Sequence, residues 1–134
     1  MAETDAPIQR PLSPHLQIYR LTLSMVMSGL HRITGLALCA GMLMISWWLL
    51  AAAAGQNAYG TFEAFAGSWI GKLILLGFSW SLLHHLIGGF RYLIWDLGYG
   101  LEPAEREWLV RANIIGSIAA TVLLWLILLM FGMR

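Results

Sequence analysis

The chain alternates long apolar runs with short polar breaks. Ile33–Ala54 is 22 residues without a charge, Leu73–Phe90 is 18, and Ala112–Met133 is 22 again. Such runs predict membrane-spanning helices, because about 20 residues rising 1.5 Å each cross a hydrocarbon core of about 30 Å. With their flanks the spans are expected at about 23–54, 68–95 and 110–133, after an N-terminal segment over 1–22. The predicted architecture is all-α: one integral membrane domain covering 1–134, with three transmembrane helices and no soluble domain. The connectors differ in kind. Gly55–Gly67 holds Gln56, Asn57 and Glu63 but no Lys or Arg, whereas Asp96–Arg111 holds Arg106, Arg111, Glu102, Glu105 and Glu107. Trp47, Trp48, Trp69, Trp95 and Trp108 fall near predicted helix ends, as interfacial aromatics do.

Composition agrees with the pattern. The chain is 59% hydrophobic and 11% charged, with mean hydropathy +0.71, against roughly 25% charged residues in soluble domains. A net charge of +1 gives no basic balance that would point to nucleic acid. The single cysteine, Cys39, cannot form an internal disulfide, and without C-x-x-C-H covalently attached haem is not expected; Cys39 reads as a packing residue. Residues 1–20 contain Glu3, Asp5 and prolines at 7, 11 and 14, unlike a secretory signal, so the chain reads as mature protein.

Cations set the expected sidedness. Arg10, Arg20, Arg32, Arg91, Arg106 and Arg111 lie on one side, and Lys72 and Arg134 on the other. The positive-inside rule then puts the N-terminus and the 96–111 connector in the cytoplasm or its organellar equivalent.

The second span carries the candidate chemistry, His84 and His85 in a run without charge. An imidazole at membrane depth is a functional-site hypothesis, and ligation of haem iron is its commonest productive use. At 100° per residue the His85 face holds Phe78, Ser81, Gly88, Gly89 and Tyr92, and the small residues leave clearance for a flat macrocycle. His84 points toward Trp80, Gly88 and Arg91, which favours His85 as ligand and leaves His84 a structural or supporting part. The same small residues also suit a helix–helix contact, so spacing alone leaves both readings open. The other two histidines, His15 and His31, lie at or beyond the membrane boundary, so a second axial ligand is expected from another subunit. His31, Arg32 and Arg91 come at the same end of their helices, where cations could meet haem propionates or lipid phosphate.

Three segments carry a family resemblance: R-P-L-S-P-H-L-Q-I-Y (Arg10–Tyr19), S-G-L-H-R-I-T-G (Ser28–Gly35) and H-L-I-G-G-F-R-Y-L-I-W-D-L-G-Y-G (His85–Gly100). Together they resemble the cytochrome b556 subunits of succinate dehydrogenase, one of two membrane anchors in respiratory complex II. The resemblance covers nearly the whole chain. It implies one haem b shared with a second anchor subunit, with His85 as axial iron ligand and Gly89, Arg91, His31 and Arg32 around the haem. In the family pattern, Asp96 closes the second motif. Ser28 and Arg32 are implied at a ubiquinone-reduction site; their i, i+4 spacing puts a hydroxyl and a guanidinium on one helix face. Without the resemblance that pair reads as a polar helix start and an interfacial arginine. The implied partners are the second anchor, an iron–sulfur subunit, a flavoprotein subunit and lipid, in a bacterial or mitochondrial inner membrane. One departure stands out: Tyr92 occupies the place of a family histidine near a propionate. It can donate a hydrogen bond but no positive charge. Succinate and flavin chemistry is not expected in this chain. The rivals are a fumarate reductase anchor, a purely structural anchor, and a small transporter subunit; the last is disfavoured by the lack of a midplane carboxylate or broken-helix pair.

Overall fold

The computed structural model describes residues 18–132. Four helices follow one another: α1 (Leu23–Ala54), α2 (Gln56–Gly67), α3 (Trp69–Asp96) and α4 (Pro103–Phe131). Helices α1, α3 and α4 are each long and apolar enough to cross a membrane. They run up, down and up, and α3 packs against both of the others. At 1.5 Å per residue, the 32 residues of α1 extend about 48 Å, so its ends reach into the headgroup layers.

Two sequence expectations need correction. The connector at 55–67 is almost wholly a helix, α2, which the hydropathy pattern does not assign. Ala58, Tyr59, Phe62, Phe65 and Ala66 share one face of it, and Phe62 and Phe65 pack on Trp47 of α1 with ring centroids 5.0 and 5.1 Å apart. That aromatic cluster anchors a short helix that would be marginal alone. Trp47 is therefore covered in part by protein. The second connector is much shorter than 96–111. Pro103 opens α4 at its first turn, where a missing N–H costs nothing, so Leu97–Glu102 alone forms the link.

The breaks between helices have local causes. Gly55, with φ +104°, takes a backbone conformation that disfavours a Cβ and turns the chain from α1 into α2. Ser68 caps α3: its hydroxyl oxygen accepts from the Gly71 N–H at 3.1 Å. At the other end of α3, the Trp95 indole N–H donates to the Gly100 carbonyl at 3.1 Å and pins the link back onto the helix.

The bundle is polar inside and apolar outside. Met27, Ala51 and Val110 are its buried hydrophobic residues among those described, whereas Thr34, Ser81, His84, Arg91, Asn113, Ser117 and Thr121 are buried too. Large side chains such as Leu43, Leu86, Phe90 and Ile115 point outward. Against lipid there is no gain from hiding leucines, and polar groups must turn toward one another. The inner surface is thus where chemistry is concentrated.

Candidate functional site

The site forms near one end of the bundle, where α1 begins and α3 ends. Met27, His31 and Thr34 face inward at i, i+4 and i+7 on α1, and Met27 and Thr34 are buried. From α3, His84, Gly88 and Arg91 repeat the same spacing and are all buried. Helix α4 adds the stripe Val110, Asn113, Ser117 and Thr121.

His31 and His85 meet across α1 and α3. Their rings stack with centroids 3.9 Å apart and planes 7° off parallel. The His85 Nδ1–H donates to the backbone carbonyl of His31 at 3.1 Å. A carbonyl can only accept, so this contact places the hydrogen on Nδ1 and leaves a lone pair on Nε2. An imidazole held this way by a backbone carbonyl is prepared to bind metal through its other nitrogen. The two rings lie face to face, so His31 packs against the His85 imidazole and does not extend it.

Three glycines on these helices have distinct surroundings. A Cβ on Gly35 would lie 3.1 Å from the His85 ring, and one on Gly88 would lie 2.5 Å from His31 Nδ1. Both close approaches depend on the missing side chain. Gly89 is different: nothing of the protein lies within 4 Å of where its Cβ would stand. The α3 surface one turn beyond His85 is therefore open.

Arg91 is 3% exposed. Its guanidinium lies 5.2 Å from the Tyr92 ring centroid and 4.9 Å from that of Trp95, and Tyr92 also meets His31 edge-on at 5.1 Å. Yet Nε and Nη1 of Arg91 have no hydrogen-bond partner among the described residues, nor does Nδ1 of His31. A buried guanidinium is costly unless an anion or acceptor completes it. These unsatisfied donors, the open surface at Gly89 and the lone pair on His85 suit a flat, metal-bearing group with carboxylate arms. The donor set fits haem.

The structure thus brings together His31, His85, Arg91 and Tyr92. Ser28 and Arg32 sit next to this group on α1 but point elsewhere: Ser28 is half-buried and Arg32 exposed. The Thr34, Ser46 and Ser79 hydroxyls donate to carbonyls of their own helices. Ser28 makes no hydrogen bond among the described residues, so its hydroxyl stays available. Asp96 is exposed at the end of α3, and His15 lies outside the described residues. Two further positions come from α4. Ser117 pairs with His84 at 3.1 Å, and Asn113 is buried beside Gly88 with both amide atoms unpartnered. Their signal in the sequence was faint: polar residues four apart in a span, which ordinary helix packing also produces.

Comparison with known proteins identifies the family. A family model described as succinate dehydrogenase/fumarate reductase transmembrane subunit matches residues 6–132. The succinate dehydrogenase cytochrome b556 subunit of Paracoccus denitrificans is 44% identical over 122 residues, covering 91% of this chain and 94% of that protein. The corresponding subunit of Rickettsia felis is 38% identical over 117 residues, covering 87% and 91%. The succinate dehydrogenase cytochrome b560 subunit of Reclinomonas americana is 36% identical over 132 residues, covering 90% and 87%. A match across nearly the full length, on a helical bundle with three membrane-spanning candidates, places the chain in the succinate dehydrogenase/fumarate reductase transmembrane-subunit family.

Proposed function

We propose that this chain is the haem-binding membrane anchor of a succinate:ubiquinone oxidoreductase. One observation carries the reading. The His85 imidazole is fixed by the His31 carbonyl with its Nε2 lone pair free, beside a buried arginine that lacks an acceptor. His85 would hold the iron, and Arg91 and His31 would hold the propionates, with Tyr92 bracing Arg91. Haem b, when bound, supplies one-electron chemistry. A second anchor subunit would supply the other protein ligand to the haem.

The same end of the bundle is proposed to take ubiquinone. Ser28 offers a hydroxyl donor, and Arg32 an exposed guanidinium that stays charged and steadies negative charge on a reduced quinone oxygen. The chain thereby anchors an iron–sulfur subunit and a flavoprotein subunit that carry out the succinate chemistry.

A reduced-minus-oxidised spectrum of the isolated complex tests the reading. A b-type α band is expected, and its absence would withdraw the haem assignment. Gly89→Leu sharpens the test, because the added side chain meets no protein atom of this chain near its base. It is expected to leave assembly intact while reducing haem content. A Gly89→Leu complex with full haem content would show that the macrocycle does not lie there.

Sidedness follows from charge and topology. Among the described residues, Arg20, Arg32, Arg91, Arg106 and Arg111 belong to the end with the α3–α4 link, and Lys72 to the end with α2. The N-terminal end is therefore proposed to face the cytoplasm. In a Cys39→Ser background, Glu102→Cys is expected to react with an impermeant thiol reagent from the cytoplasmic side and Asn57→Cys from the opposite side. The reverse pattern would invert the topology.

A further inference from the structure

Helix α3 offers two adjacent imidazoles about 100° apart, yet a haem on one side of it needs only one. Apolar residues surround α3 on most sides, and lipid does not care which of them it meets. Hydrophobicity alone therefore leaves the helix's rotation poorly fixed. Polar contacts between helices must set it.

Two such contacts involve the histidines, and a third, farther along the α3–α4 seam, runs from the Trp125 indole N–H to the Ser79 hydroxyl at 2.9 Å. On the α1 side, His85 donates from Nδ1 to the His31 carbonyl. On the α4 side, His84 Nδ1 meets the Ser117 hydroxyl at 3.1 Å. The Ser117 hydroxyl has a single hydrogen, and it is donated to the Ile114 carbonyl at 3.0 Å. Ser117 must then accept from His84, so His84 also carries its hydrogen on Nδ1. The two imidazoles are chemically alike: each has a free Nε2 lone pair of the kind iron binds. Burial separates them. His84 is 0% exposed, and its Nε2 is enclosed without a partner, whereas His85 lies half-buried one turn from the open surface at Gly89.

We propose that Ser117 is a positioning residue that selects the haem ligand: by accepting a hydrogen bond from His84 it keeps that imidazole in the α3–α4 seam and holds α3 in the rotation that presents His85. The inference rests on the haem-anchor reading above and adds to it a residue on the helix that bears no ligand. Thr121, one turn further along α4, does not share the role: its hydroxyl donates to the Ser117 carbonyl and has no α3 partner among the described residues.

The test uses the intact complex and reads the haem directly. Ser117→Ala removes the acceptor and little volume. Loss of one interhelical hydrogen bond shifts the balance of two helix rotations by about 3- to 20-fold. The expected result is a second low-spin component in the electron paramagnetic resonance spectrum, or a displaced haem midpoint potential. Ser117→Thr keeps the hydroxyl and is expected to restore the wild-type signal. Ser117→Ala combined with His84→Leu is expected to return a single component, since the competing imidazole is gone. A wild-type spectrum and potential in Ser117→Ala would overturn the proposal, as would an altered signal that persists unchanged in the double variant. If Ser117→Ala does not assemble, Ser117→Cys, with its weaker acceptor, takes its place under the same criteria. Retention of the haem signal in His85→Leu would instead remove the underlying assignment, so the two failures are distinct.

Discussion

His85→Leu is expected to remove the low-spin haem signal from the complex, with haem content falling at least about 10-fold. Loss of even an outer hydrogen-bond partner of a metal ligand costs roughly 10- to 100-fold in affinity, and this change deletes the ligand itself. It also deletes the Nδ1 donor to the His31 carbonyl and the ring stacked on His31 at 3.9 Å. The α3–α4 contact through His84 and Ser117 is untouched, so the helices are expected to remain assembled. His84→Leu is the matched control. It removes an equally large imidazole one position away and is expected to retain most of the haem. Pyridine haemochrome content and the reduced-minus-oxidised spectrum measure both variants. Loss of haem in His84→Leu with retention in His85→Leu would reverse the assignment.

Quinone turnover is the second large effect. Ser28→Ala removes a hydroxyl that is not committed to its own helix. Turnover is expected to fall roughly 10- to 100-fold, equivalent to about 1.4–2.7 kcal/mol of transition-state stabilisation. Arg32→Leu is expected to cost more, since a charged donor aimed at developing negative charge is worth about 10²–10³-fold. Arg32→Lys keeps the charge but not the planar fork of donors, so partial recovery is expected. Arg32 is exposed and stands apart from the His31–His85–Arg91–Tyr92 group, so Arg32→Leu is expected to spare the haem spectrum more than Arg91→Leu does. Succinate oxidation with a soluble acceptor serves as the control and is expected to persist in every assembled variant. Full quinone reductase activity in an assembled Ser28→Ala, Arg32→Leu double variant would remove both residues from the site.

Much of the fold was legible in the sequence because lipid imposes a simple rule. Backbone polar groups must bond internally and apolar residues must cover about 30 Å, so three uncharged runs predict three helices. The rule says nothing about short connectors. Helix α2 escaped it: at 12 residues it is too short to span, and it is anchored by Phe62 and Phe65 meeting Trp47, a contact between segments about 15 residues apart. The start of α4 was placed late for a related reason. Glu105, Arg106 and Glu107 look like loop residues in a hydropathy reading, but Pro103 at the first turn and an acid near the helix N-terminus favour helix outside the membrane.

Candidate chemistry divides along the same line. The sequence by itself determined which residue types stand at membrane depth and which share a helix face: two adjacent histidines, a following Gly-Gly pair, an arginine two turns after His84, and a serine and arginine four apart on α1. Those follow from the helical period alone. Only the tertiary structure decided how the faces meet. It stacked His31 on His85 through the spaces left by Gly35 and Gly88, buried Arg91 without an acceptor, left Gly89 open, and set Ser117 of α4 against His84. Hydrogen bonds and close ring contacts act over 3–4 Å and join residues more than 30 positions apart, so no local pattern encodes them. In a bundle whose outside is largely apolar, those few polar contacts distinguish one helix face from another, which hydrophobicity alone does not.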